Sequence, residues 1–136
     1  MLTLPACGIV FSAGFEGTEV FRDLELDGEF RAGSAVTATV TVTQPYAAPL
    51  AVSCRYENRD ITDDQRKVAF SERALPVFDA VLEAHTGPRP DDRENLAVET
   101  MSFEFTVSEP GDYFIACFTV AAPENGIGQR FTVEAP

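Results

Sequence analysis

Apolar and polar residues alternate along most of this chain. Met101, Phe103, Phe105 and Val107 share one parity, and Ser102, Glu104, Thr106 and Ser108 the other. A period of two with one apolar parity marks a strand that buries a single face. The next stretch differs. Tyr113, Ile115 and Cys117 lie on one side, with Phe114, Ala116, Phe118 and Val120 on the other. Apolar on both faces, it predicts a central strand covered twice. Between the two lies Glu109-Pro110-Gly111-Asp112. Pro fixes φ at one turn position and Gly permits φ > 0 at the next, so Phe103–Val120 reads as two antiparallel strands joined by a tight turn.

The same pattern continues elsewhere. Ala35–Gln44 places Val36, Ala38, Val40 and Val42 inward and Thr37, Thr39, Thr41 and Thr43 outward, a β-branched composition that strands favour. A short edge strand is expected within Thr18–Leu26, with Val20 inward, before a turn bracketed by Gly28 and Gly33. Leu50–Glu57 follows Pro45 and Pro49, and Arg130–Glu134 closes the chain with Phe131 and Val133 inward. Asn125-Gly126 predicts the last hairpin, since both residues tolerate φ > 0. The stretch 59–97 is the least regular. Lys67–Ser71 reads as a strand, whereas Val77, Phe78, Val81 and Leu82 fit one helical face as well as they fit a strand over Val77–Ala84. The expected fold class is all-β: an antiparallel sandwich of about seven to nine strands, with one short helix near 76–85 as the alternative to a strand there.

At 136 residues the chain reads as one domain. Residues 1–16 stand apart as an apolar N-terminal segment serving as donor strand, tether or first strand, with the sandwich over 17–136. No apolar run approaches the ~20 residues of a membrane-spanning helix. The net charge of −12 argues against nucleic acid or an anionic membrane as partner.

Candidate chemistry is sparse. Cys54 shares parity with Val52 and Tyr56, and Cys117 with Tyr113 and Ile115. Both therefore point inward, either as a disulfide in an oxidising compartment or as two reduced small hydrophobes. His85 is the only histidine, so any Ser-His-Asp or Cys-His arrangement must use it, and no catalytic residue is assigned. The three cysteines lack the close spacing of a zinc site. Asp60, Asp63 and Asp64, or Asp91, Asp92 and Glu94, are carboxylates of the kind calcium takes, without a defined loop around them. No other cofactor is expected.

Leu4-Pro5-Ala6-Cys7-Gly8 resembles the lipobox of bacterial lipoproteins, which makes Cys7 a candidate lipidation site. Pro5 departs from that pattern. On a larger scale, Phe30-x-x-Gly33-x-x-Val36-x-Ala38-x-Val40-x-Val42, together with Phe103-x-Phe105-x-Val107-x-x-Pro110-Gly111-x-Tyr113-x-Ile115, resembles the immunoglobulin-like β-sandwiches of prokaryotic surface and adhesion-related proteins, and fibronectin type III domains. The resemblance spans 28–134 and implies architecture rather than activity. It departs from antibody-type domains, because Trp is absent and Tyr113 lies four residues before Cys117, where a tyrosine corner places it two before. It also implies that any Cys54–Cys117 bridge lies within one sheet.

The leading functional expectation is a non-catalytic extracellular or cell-surface structural module, such as a filament or surface-layer subunit. Self-association would use Leu2, Leu4, Ile9, Val10 and Phe11 against Phe114 and Phe118, whose parity lies opposite the core. The blander cover for that face is the 59–97 stretch folding back over it. Alternatives are a carbohydrate- or protein-binding module, signalled by exposed Tyr46, Tyr56 or Phe70, and a small hydrolase built on His85.

Overall fold

A computed structural model describes residues 20–46, 48–92 and 96–136. Seven strands are formed: β1 (Phe21–Gly28), β2 (Ala35–Thr43), β3 (Leu50–Asn58), β4 (Leu75–Leu82), β5 (Val98–Thr106), β6 (Gly111–Thr119) and β7 (Gly126–Val133). They make two antiparallel sheets, ordered β1-β2-β5 and β4-β3-β6-β7. The protein is an all-β sandwich. Its core lies between the sheets and is filled by the parities expected to point inward: Val36, Ala38, Val40 and Val42 from β2, Phe103 and Phe105 from β5, and Tyr113, Ile115 and Cys117 from β6. Val36, Val40 and Ile115 are at most 1 % exposed, so their removal from water contributes on the order of 1.5–3 kcal/mol each.

Phe103–Val120 departs from the expected hairpin. β5 and β6 are successive but lie in opposite sheets. Both edges of β6 are already taken, by β3 on one side and β7 on the other, while β5 pairs with β2 along its whole length. The turn therefore carries the chain across the sandwich. Val107 is buried at the crossing, and its carbonyl accepts from Gly33 N at 2.9 Å. Tyr113 Oη donates to Glu109 O at 2.8 Å. That is the hydrogen bond of a tyrosine corner, made despite the altered spacing to the cysteine.

One open alternative is decided and two local expectations give way. Over 74–85 the strand prevails over the helix, because β4 pairs with β3 from Leu50↔Leu82 to Tyr56↔Leu75. Lys67–Ser71 is not a strand. Two single-turn helices, α1 (Asp63–Arg66) and α2 (Phe70–Arg73), flank it and occupy part of it. Thr62 caps α1 through Gln65 N at 3.1 Å, and Gln65 Oε1 accepts from Thr62 N at 2.7 Å, a capping box written as Thr-x-x-Gln in the sequence. The β6–β7 hairpin forms, but Asn125 N bonds Ala122 O at 2.8 Å. The turn is thus centred on Pro123-Glu124 rather than Asn125-Gly126. Gly126 instead lets two strands come close. A Cβ there would lie 2.6 Å from Cys117 O, so only glycine allows this approach of β7 to β6.

Candidate functional site

Sequence reasoning singled out two inward cysteines, and β3 and β6 bring them together. Cys54 and Cys117 stand directly opposite in the ladder and form a disulfide within one sheet. Both are fully buried, so the bridge is a core element with no face open to solvent.

The outer face of the same sheet carries Phe114 and Phe118, and Phe70 of α2 stands edge-on against both, with ring centroids 5.5 Å and 6.4 Å away. Phe118 is 3 % exposed. Cover over this face thus comes in part from the 59–74 excursion of the chain itself. Leu2, Leu4, Cys7, Ile9, Val10 and Phe11 lie outside the described residues.

Beside Phe70 lies a polar cluster that sequence reasoning missed. Arg73 donates from Nε and Nη2 to the two carboxylate oxygens of Glu57, each at 2.7 Å, and from Nη1 to Val68 O at 2.6 Å. The pair is shielded, with side chains 21 % and 14 % exposed. Its Glu57 hydrogen bonds hold the Arg73 guanidinium above its ordinary pKa. The guanidinium also sits 5.9 Å from the Phe70 ring centroid. Arg55 Nη1 donates to Ala74 O at 3.1 Å, tying the end of α2 to β3. Glu57, Asn58, Ile61, Gln65, Val68, Arg73 and Leu75 line a recess of about 220 Å³. Its charged groups are already matched to each other, so the cluster clamps the 59–74 excursion onto β3. One residue near the end of β3 and one sixteen positions on, in the irregular stretch, gave no periodic signal of this pairing. Arg73→Ala leaves Glu57 shielded and unpaired, and should cost roughly 1–3 kcal/mol in urea unfolding. Arg73→Lys, which keeps charge but not the bidentate fork, should recover only part of that. Equal stability of the alanine variant and wild type would refute the clamp.

The remaining candidates disperse. His85 follows β4, its ring 4.9 Å from that of Tyr46 and its backbone N bonded to Pro45 O at 2.6 Å. Its Nδ1 is buried without a hydrogen-bond partner among the described residues. Tyr46 Oη accepts from Ala97 N at 3.0 Å, so this pair fastens the β4–β5 connection to the end of β2. Tyr56 packs against Phe105 and Tyr113, and burial, then Tyr113, raises its phenol pKa. Tyr46, Tyr56 and Phe70 are all half-buried in intramolecular ring contacts rather than arrayed on the surface. Asp63 and Asp64 sit in the first turn of α1, with Asp64 3.3 Å from Lys67 Nζ. Asp60 N bonds Asn58 Oδ1 at 2.7 Å. Glu94 lies outside the described residues, among which no group of three or more His, Cys, Asp or Glu converges as metal ligands.

One flank of the sandwich is set apart from the other. On the closed flank β1 meets β7, Ala32 N bonds Glu134 O at 2.8 Å, and the backbones of Arg31 and Glu134 form an isolated parallel β-bridge. On the opposite flank β4 and β5 are both edge strands, joined across the core by Phe78 and Phe103, stacked at 4.7 Å. Leu75, Val81 and Val98 on these two strands are 58 %, 59 % and 51 % exposed. Five large apolar side chains are exposed among the described residues, and these are three of them.

No known protein family and no curated protein matches the chain. Among solved structures, a variant of the superoxide reductase (neelaredoxin) from Ignicoccus hospitalis is similar at TM-score 0.51 and 9 % identity, covering 100 % of this chain and 95 % of that one. A second variant of that protein gives TM-score 0.48 at 8 % identity, over 93 % and 90 %. A hypothetical protein from Pyrococcus horikoshii gives 0.44 at 12 % identity, over 86 % and 90 %. At such identities only the first likeness has weight, and it speaks to the fold alone.

Proposed function

We propose that this protein is a non-catalytic structural module of the cell exterior or surface, an assembly subunit joined to its neighbours through the N-terminal segment. The observation that carries the reading is the β4–β5 flank. Three large apolar side chains stand more than half exposed there, on a molecule whose charge of −12 otherwise favours solvation. Exposed apolar surface beside open strand edges is what strand-adding partners use. The Cys54–Cys117 disulfide supports the compartment, since such bonds persist where the surroundings are oxidising. Among the described residues no helix is long and apolar enough to cross a membrane. Affiliation with the immunoglobulin-like sandwiches belongs to the same proposal, supported by the seven antiparallel strands in two sheets and by the Tyr113 corner.

The test is deletion of residues 1–14. The truncated protein should keep the wild-type melting transition, because the seven strands and the core cluster between them are built within Phe21–Val133, and should lose self-association in light scattering. Full-length protein that stays monomeric at every concentration would sink the reading.

A further inference from the structure

We infer that β5 is the acceptor edge for a strand donated by residues 1–15 of a second copy; this rests on the assembly reading above. The backbone sets the phase. Gln44 N donates to Ala97 O at 2.9 Å, and the β2–β5 register continues from that pair without a shift, from Thr43↔Val98 to Ala35↔Thr106. Bonded pairs alternate along an antiparallel ladder. Glu99, Met101, Phe103 and Phe105 therefore turn their N–H and C=O toward β2, while Val98, Thr100, Ser102, Glu104 and Thr106 turn theirs toward the open flank. Apart from the ladder with β2, no backbone hydrogen bond joins Val98–Thr106 to another described segment.

The other edges carry devices that discourage pairing. β1 has a bulge at Phe21/Asp23 and faces β7. β4 contains Pro76, and its ladder with β3 shifts register at Cys54/Arg55. β7 is engaged at its end by Phe30 and Ala32. β5 contains no proline, lysine or bulge. Its one inward-parity charge, Glu99, lies near the start of the strand, leaving Met101–Thr106 as an edge long enough for an added strand of about five or six residues.

The occupant follows from charge and composition. Two copies at −12 repel each other, and β5 itself carries Glu99 and Glu104. Residues 1–15 bear no charged side chain, and Ala6–Ala13 contains Ile9, Val10 and Phe11 with no proline. It is the uncharged, strand-competent run outside the described sandwich, so it approaches an acidic edge with the least repulsion. Donor side chains of one parity would continue the outer face of β5 that carries the exposed Val98.

Ser102 lies at the middle of the edge, with its N–H on the open side. Ser102→Pro removes that donor and leaves the backbone bonds to β2 in place, and Ser102→Lys keeps the backbone intact but places a charge on the edge; both lose the exposed side-chain hydrogen bond between Ser102 Oγ and Thr39 Oγ1 of β2, 3.1 Å long. Both are made in the full chain, with the melting curve as the check on folding and sedimentation across a concentration series as the readout. Each should weaken association about tenfold or more, equivalent to roughly 1.4 kcal/mol, with the melting transition retained. If Ser102→Pro does not fold, Ser102→Lys decides. If both folded variants associate like wild type while deletion of residues 1–14 abolishes association, β5 is not the acceptor, and the assembly reading stands without it. A monomeric wild type overturns both.

Discussion

Replacing Cys54 and Cys117 together by alanine should lower the melting temperature by roughly 10–15 °C. The bridge links positions 63 residues apart, and closing a loop of that size restricts the unfolded chain by about 4 kcal/mol in the chain-entropy model. Both sulfurs sit in the core, so little is returned by solvent contact when they are cut back to methyl groups. The same fall should appear when the wild-type protein is melted with a strong reductant, provided denaturant first exposes the bridge. Peptide mapping without reductant should recover Cys54 linked to Cys117. A link from Cys7 to either, or an unchanged melting temperature in the double variant, would contradict the account.

Ile115→Ala should be the most damaging single truncation in the sandwich, costing about 3–4 kcal/mol in urea unfolding. Ile115 is fully buried, sits on the central strand β6 opposite Tyr56, and has Tyr113 and Cys117 on the same face. Its neighbours are held by the ladders to β3 and β7 and by the disulfide, so they have little freedom to close over the cavity. Val81→Ala makes a useful contrast. That side chain is 59 % exposed on the edge strand β4, and its truncation should stay within about 0.5 kcal/mol of wild type. Similar losses for the two variants would mean that the core is not where the sheets place it.

Alternation by itself determined most of the strands here, and which side of each faces the core. Side-chain direction reverses at every residue of a strand, so Val36-x-Ala38-x-Val40-x-Val42 and Phe103-x-Phe105 declare their buried faces without any neighbour being known. Parity likewise points Cys54 and Cys117 inward, and the capping box of α1 is written locally in Thr62 and Gln65. Pairing was not legible in this way. β5 and β6 read as a hairpin because they are adjacent in the chain, yet strand partners depend on which edges remain free, a property of the whole sheet. The segment 74–85 was ambiguous for the same reason: its apolar spacing suits a helix until β3 offers it a ladder. The Arg73–Glu57 clamp and the contrast between a closed and an open flank arise only when distant stretches meet. Local periodicity fixes where a residue points. Only tertiary structure decides what it meets there and which backbone edges are left unsatisfied.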